Sequence, residues 1–189
     1  MGKVIAVLCS PEENDSSTRI ADAFLDGAMG LSTNIIDMYR LSKLRSIQDC
    51  CCKPAPAGER RVIYDDILPI LEDIRAADCV VFATPIYFGG PCGLYKIFED
   101  RMSYFLDENN ESILPPGKKA LLVLTSYYPD IDFAGISGYL AKNLEKIGFD
   151  IMGIITYSSH MGKEPLDKNA FVLHKAKEMG LTMRNTPTV

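Results

Sequence analysis

The stretch CVVFATPIYFGGP (residues 79–91) decides the fold prediction. Residues 79–83 are a continuous run of apolar, strand-forming residues, which is typical of a strand buried on both faces of a parallel sheet. The Pro- and Gly-rich residues 84–91, which we call the second loop, end that strand, and the residues that follow have helical spacing. In an open parallel sheet, ligands bind just beyond the carboxyl ends of the strands. The second loop is therefore a predicted ligand site.

The composition of the second loop suits a flat aromatic ligand. Pro85 and Gly89 would let backbone N–H and C=O groups approach the edge of a ring. Tyr87 and Phe88 offer aromatic faces against which a ring can stack. The alternative is a strand-to-helix connection whose aromatic side chains only pack against the protein.

The rest of the chain alternates between strand and helix patterns. The predicted strands are residues 3–8, 34–38, 79–83, 119–125 and 150–157. The predicted helices are residues 18–29, 65–76, 92–106, 134–147 and 167–183, the last capped by Asp167. This rhythm predicts an α/β fold in three layers, with a doubly wound, parallel, five-stranded sheet joined by right-handed crossovers. We expect one domain over residues 1–189, with an irregular insertion at about 41–62 and a short tail at 184–189.

Composition excludes several classes of partner. The net charge of -5 and the pI near 5.1 leave no basic surface for nucleic acid. No apolar run approaches the roughly 18–20 residues that span a bilayer. Residues 2–10 resemble a first strand more than an export signal, because their apolar segment is too short. We therefore expect a cytoplasmic protein with neither a nucleic-acid nor a membrane partner.

The segment CSPEENDSST (residues 9–18), which we call the first loop, joins strand one to helix one. A helix N-terminus presents unpaired N–H groups and a positive dipole end, which together can bind an anion. Serine and threonine hydroxyls add donors, and Ser16 or Ser17 is a plausible N-cap. The patterns GxxxxGK[ST] and GxGxxG are both absent, which argues against a nucleotide-hydrolysing loop and an ordinary Rossmann site. The alternative is a helix cap followed by a turn.

These segments together resemble a known family. The first loop contains Ser10-Pro11 and Ser17-Thr18-Arg19, the second loop contains TPIYFG (residues 84–89), and L-x-K-x-F-x-D-R follows at residues 94–101. The combination is similar to that of the flavodoxin-like, NADPH-dependent FMN reductases. Iron–sulfur flavoproteins and related quinone reductases share the pattern.

The resemblance implies a sheet of order 2-1-3-4-5, with FMN across the carboxyl ends of strands one, three and four. The phosphate would lie in the first loop and the isoalloxazine ring against the second loop. Residues 126–132, which we call the third loop, would close the other side of the ring. The implied FMN-binding residues are Ser10, Pro11, Ser16, Ser17, Thr18, Pro85, Ile86, Tyr87, Phe88, Gly89, Ser126 and Tyr127.

The implied activity is electron transfer from NAD(P)H, through FMN, to a quinone, a flavin or another small acceptor. The flavin carries the redox chemistry, so no side chain is predicted to act as acid or base. Relatives of this kind are commonly homodimers or homotetramers. Two alternatives stay open, namely a flavodoxin-type electron carrier without a substrate of its own and a binding protein that has lost FMN.

The chain departs from the family pattern in three ways. Glu12 and Glu13 stand where relatives often have a basic residue, and two carboxylates beside a phosphate are repulsive unless they point to solvent. The first loop also looks about one residue longer than usual. The contiguous cysteines at residues 50–52 lack the spacing of an iron–sulfur cluster motif and are expected to be thiols.

Several further residues have both a functional and a structural interpretation. Cys92 lies near the start of helix three, where it could have a redox role or fill a small space. Lys96 and Arg101 could reach a cofactor or form ion pairs on that helix. His160 and His174 lack the spacing of metal ligands, so no metal site is predicted. A packing or surface role is the default for His174, whereas His160, in the loop after the fifth strand, could approach a neighbouring subunit's site.

Overall fold

A computed structural model of the chain describes residues 2–30, 34–45, 47 and 62–183. Most of the predicted insertion, the cysteines at residues 50–52 and the tail at 184–189 lie outside the described residues. The elements, in chain order, are β1 (Lys3–Leu8), α1 (Ser16–Met29), β2 (Ile35–Arg40), α2 (Leu68–Ala76), β3 (Cys79–Tyr87), β4 (Gly90–Pro91), α3 (Gly93–Arg101), β5 (Lys118–Ser126), α4 (Phe133–Ile147), β6 (Phe149–Ser158) and α5 (Ala170–Thr182). Short 3₁₀ turns lie at Leu41–Lys43, Met102–Phe105 and Leu166–Lys168.

In the described part of the chain, β2, β1, β3, β5 and β6 form a parallel sheet in that order. β4 is a two-residue strand that pairs antiparallel with β3. When the five long strands are numbered alone, their order is 2-1-3-4-5, so the predicted topology is confirmed. Parallel strands end at a common edge, and the three loops of the predicted site follow β1, β3 and β5.

The two faces of the sheet bury separate cores. One face packs Phe82 with Tyr95 and Phe98 of α3 and with residues of α2 and α4. The other face packs against α1 and α5, where Phe24 is fully buried. β1 and β3 are buried on both sides, because their side chains alternate between the two cores. Among the described residues, no helix has the length and apolar character needed to cross a membrane.

α1 and α5 touch backbone to backbone. A Cβ atom on Gly27 would lie 2.1 Å from the carbonyl oxygen of Lys177, and one on Gly180 would lie 2.0 Å from the carbonyl oxygen of Phe24. Neither distance is possible for a real side chain, so this approach requires glycine on both helices. α5 therefore fixes the position of α1, the helix on which the first loop depends.

The strand of the opening stretch is longer than predicted. β3 does not end at Ala83 but continues to Tyr87, because Pro85 stays in register with Thr125 of β5. Tyr87 then pairs with Gly90 across a tight turn. Part of the predicted loop is thus the projecting end of a central strand.

Four helix boundaries also differ from prediction by two residues or more. α2 begins at Leu68 rather than at residue 65. α1 begins at Ser16, and its N-cap is Asp15 rather than Ser16 or Ser17. α3 ends at Arg101, and the predicted last turn is a 3₁₀ turn. α5 begins at Ala170, since Asp167 belongs to a separate 3₁₀ turn.

Candidate functional site

The first, second and third loops lie together at the carboxyl edge of the sheet. The backbone N–H of Cys9 donates to the carbonyl of Ala83 at 2.9 Å, and the Cys92 thiol donates to the carbonyl of Cys9 at 3.1 Å. Burial, and then the nearby Cys92, Asp15 and Glu12, raise the pKa of Tyr87. Because groups of the first loop act on the second, the two loops border the same space.

The start of α1 is occupied by a carboxylate of the chain itself. Asp15 Oδ1 accepts a hydrogen bond from the backbone N–H of Thr18 at 2.9 Å. Asp15 Oδ2 accepts one from the Ser17 hydroxyl at 2.8 Å. From sequence, these donors are predicted to bind a phosphate, and no role is predicted for Asp15.

Glu12 and Glu13 do not occupy this position. Both side chains are exposed, and Glu13 forms an ion pair with Lys43, which lowers the pKa of Glu13. The Arg40 guanidinium donates to the backbone carbonyl of Glu13 at 2.8 Å. The two glutamates therefore leave the helix N-terminus free of their charge, and Lys43 balances one of them.

The predicted hydroxyl donors of the first loop are partly used within the protein. Ser10 is buried, and its Oγ accepts from the backbone N–H of Glu12 at 3.1 Å. Ser16 is half-buried, and Pro11 is exposed. Thr18 is buried, and within the described residues its hydroxyl has no hydrogen-bond partner. Buried polar groups nearly always have a partner, so the Thr18 hydroxyl is an unused donor at the start of α1.

The second loop is a strained hairpin that presents aromatic rings. Phe88 has φ 50° and Gly89 has φ 80°, as a two-residue type I′ turn requires. Phe88 is fully exposed and Tyr87 is 49% exposed, whereas Pro85 and Ile86 are buried. A bulky residue in the left-handed region is unfavourable, and such strain is often found at functional sites.

Gly90 leaves open space beside this hairpin. A Cβ atom at Gly90 would meet no atom within 4 Å among the described residues, and the φ of Gly90 is not positive. Neither packing nor backbone conformation therefore explains the glycine. Space for a bound group beside the second loop would explain it.

The third loop supplies two further exposed aromatics. Tyr127 and Tyr128 are each more than half exposed, and their rings meet edge to face at 5.5 Å between centroids. Ser126 is buried, and its Oγ accepts from the backbone N–H of Tyr128 at 3.0 Å. Rings from two loops thus border the same edge of the sheet.

A fourth segment, residues 158–161, supports the third loop and was missed by the sequence analysis. Ser159 and Met161 donate backbone N–H groups to the carbonyls of Ser126 and Tyr127, at 3.0 and 2.7 Å. His160 and Met161 both have positive φ, so this segment is strained as well. Only tertiary contact reveals this role, because the segment has no motif of its own.

The geometry favours the structural interpretation of Cys92. Its side chain is buried, its thiol donates to Cys9, and the Thr84 hydroxyl lies 3.4 Å from its sulfur. Burial raises the pKa of the neighbouring Cys9 thiol well above its usual range, with smaller contributions from Cys92 and Asp15. Cys92 is thus packed beneath the second loop.

Lys96 and Arg101 had two interpretations, contact with a cofactor or an ion pair, and in the structure both form ion pairs. Lys96 Nζ lies 2.9 Å from Glu99 and 2.7 Å from Asp100. Arg101 forms a buried pair with Asp65, which holds the segment before α2 against α3. Each of the two histidines lies near the glutamate four residues later, Glu164 for His160 and Glu178 for His174. Within the described ranges, no three His, Cys, Asp or Glu side chains are grouped so as to hold a metal ion.

Comparison with known proteins gives a consistent result. Residues 2–130 match the model of the family described as NADPH-dependent FMN reductase. No curated protein matches the chain. Among solved structures, an FMN-dependent NADH-azoreductase from Bacillus anthracis, in complex with FMN, is similar with a TM-score of 0.74 at 15% identity, over 98% of this chain and 100% of that one.

Two other structures are similar over nearly the whole chain. An NAD(P)H:quinone oxidoreductase from Methanothermobacter marburgensis has a TM-score of 0.69 at 16% identity, over 100% of this chain and 98% of that one. An NADH:FMN oxidoreductase has a TM-score of 0.65 at 19% identity, over 99% and 92%. At these identities the structural likeness establishes the fold.

Proposed function

The chain belongs to the NADPH-dependent FMN reductase family, and we propose that it passes electrons from NAD(P)H, through FMN, to a quinone, a free flavin or another small acceptor. Family membership confirms the predicted oxidoreductase class, with FMN as cofactor and NAD(P)H as donor. We propose the acceptor, the binding residues and the oligomer on the basis of this structure. The observation that carries them is the position of the three loops at one edge of the sheet, where two of the loops expose aromatic rings.

The residues present fit FMN at both ends of the molecule. At the start of α1, the unpartnered Thr18 hydroxyl and the donors now used by Asp15 would hold the phosphate, together with Ser10 and Ser16. Beside the second loop, the space at Gly90 leaves room for a ring. When bound, FMN supplies the hydride and electron chemistry.

The protein's own contribution is binding, orientation and exclusion of water. Pro85 is fixed by its register with Thr125 of β5, and Ile86 by its pairing with Pro91 of β4, so the backbone that would flank the ring is held on both sides. Tyr87, Phe88 and Tyr127 would cover the ring and the acceptor with apolar surface. Planar acceptors such as quinones and flavins suit stacking on these side chains.

We also propose a homodimer in the cytoplasm. Phe88 is fully exposed in a strained turn, and Tyr87, Tyr127, Tyr128 and Met161 add exposed apolar area to the same loop cluster. Apolar patches of this kind commonly mark interaction surfaces. The described cysteines are buried free thiols, which is typical of a reducing compartment.

The test is to combine a visible spectrum with a turnover assay. The purified protein is expected to show flavin absorption bands, or to acquire them when FMN is added. Oxidation of NADH or NADPH is expected to require both FMN and a quinone or flavin acceptor. A protein that binds FMN but never oxidises NAD(P)H would be a carrier, and one that binds no FMN would contradict the proposal altogether.

A further inference from the structure

We propose that Asp15 competes with the flavin phosphate for the start of α1, and so reduces the preference of this protein for FMN over riboflavin. The inference rests on the proposed function, because it concerns the same site. It identifies a residue that sets ligand specificity, whereas the proposed function only places the phosphate nearby.

The competition follows from which atoms are already bonded. Both carboxylate oxygens of Asp15 accept hydrogen bonds, one from the Thr18 N–H and one from the Ser17 hydroxyl. A phosphate at the N-terminus of α1 would need the same two donors. The backbone of Asp15 is extended, with φ -67° and ψ 170°, so the side chain is held there without strain.

Among the described residues, no ion pair includes Asp15. Within the described residues, the ion pairs that lie near the first loop join Lys43 to Glu13 and Arg19 to Asp167, and neither includes Asp15. A dianionic phosphate and an unpaired carboxylate repel each other at short range. FMN must therefore displace Asp15 before the phosphate can take its place.

The site offers more donors than Asp15 can use. A carboxylate has two oxygen atoms, whereas a flavin phosphate has three terminal ones. With Asp15 in place, the buried hydroxyl of Thr18 stays without a partner in the described part of the chain. This unused donor indicates that the start of α1 suits a larger anion than the one that caps it here.

Riboflavin separates the contribution of the ring to binding from that of the phosphate, because it has the same ring and no phosphate. It can occupy the second and third loops while Asp15 remains bonded to Thr18 and Ser17. The experiment is a fluorescence titration of the full chain with FMN and with riboflavin. The proteins to compare are the wild type, Asp15→Asn, which removes the charge, and Asp15→Gly, which removes the whole group.

Glu12→Gln is the matched control. It removes one negative charge from the same loop, but the Glu12 side chain is exposed and does not touch the α1 donors. Both Asp15 variants are expected to bind FMN about tenfold more tightly than the wild type, which corresponds to about 1.4 kcal/mol. Riboflavin affinity is expected to stay within about twofold, and Glu12→Gln is expected to change FMN affinity by less than about threefold.

Each contrary result has a distinct meaning. Unchanged or weaker FMN binding by folded Asp15 variants would overturn the inference while leaving the proposed function intact. Equal tightening of riboflavin, or an equal effect of Glu12→Gln, would also overturn it, because the effect would then not depend on the phosphate donors. If none of the four proteins bound either flavin, the proposed function would fail as well.

Discussion

The first and second loops lie at the same edge of the sheet, but they differ in how far their side chains are bonded within the protein or left exposed. The first loop is largely satisfied from within, since Asp15 caps α1 and Ser10 accepts from Glu12. The second loop leaves Phe88 fully exposed on a strained turn. From this contrast we expect the ring of a flavin to bind aromatic side chains that are already exposed, whereas its phosphate must displace the Asp15 carboxylate.

The largest expected effect comes from filling the space beside the second loop. Gly90→Val should weaken FMN binding by about 100-fold, because the side chain would occupy room that the protein leaves empty. The free energy of unfolding should change by less than about 0.5 kcal/mol, since a Cβ there meets none of the described atoms within 4 Å. Flavin titration and urea unfolding measure the two quantities.

Gly138→Val on α4 controls for adding the same side chain. Apart from the backbone of α4 itself, a Cβ at Gly138 also meets no described atom within 4 Å, and the residue lies outside all three loops. FMN affinity should not change in this variant. If Gly90→Val bound FMN normally, the open space beside the second loop would have no part in flavin binding.

The next effect separates binding from stability in the first loop. Thr18→Val should weaken FMN binding by about tenfold, because the unused hydroxyl would donate to the phosphate. The free energy of unfolding of the apo protein should be unchanged or slightly higher, because the hydroxyl has no hydrogen-bond partner to lose within the described residues. Thr18→Ser, which keeps the hydroxyl, should bind FMN nearly as the wild type does. A large loss of apo stability with unchanged FMN binding would contradict this account.

Asp15→Ala tests the internal cap by stability alone. Loss of the cap should lower the free energy of unfolding of the apo protein by about 1 kcal/mol, because two donors at the start of α1 lose their acceptor. Asp15→Ser should retain most of the stability, since serine is also a good N-cap. Chemical denaturation without flavin is the measurement, and equal stability of all three proteins would show that Asp15 does not cap the helix in solution.

The smallest expected effect is relief of strain in the second loop. Phe88→Asn should raise the free energy of unfolding of the monomer by about 0.5–1 kcal/mol, because asparagine tolerates positive φ before glycine. The same change should weaken the proposed dimer, which light scattering would reveal. Tyr127→Asn removes another exposed ring at a residue without positive φ, so it should not stabilise the monomer. Destabilisation by Phe88→Asn in a dilute sample would contradict the strain argument.

The alternation of strands and helices could be predicted from sequence, because apolar periodicity reports burial directly. The strand order and the convergence of the loops are implied only by the resemblance to the FMN reductases. The end of β3 could not be predicted. A proline and two glycines normally indicate a loop, yet Pro85 remains in register because β5 pairs with it. The hairpin could not be predicted either, since Phe88 is not a residue that type I′ turns favour.

The N-cap of α1 could not be predicted from the sequence for a different reason. Asp15, Ser16 and Ser17 are all good capping residues, and the pattern alone does not choose among them. The choice depends on which backbone N–H groups each side chain reaches. The support of the third loop by residues 158–161 is also a tertiary contact, so no local signal announces it.

The contact between Gly27 and Gly180 has a consequence for biosynthesis. The ribosome synthesises α1 early. The residues of α5 that contact α1 are complete only when residue 180 has been translated. A nascent chain stalled before that point lacks the part of α5 against which α1 packs. We therefore expect cofactor loading to follow synthesis of the last helix, so that messages truncated upstream of it yield protein without flavin.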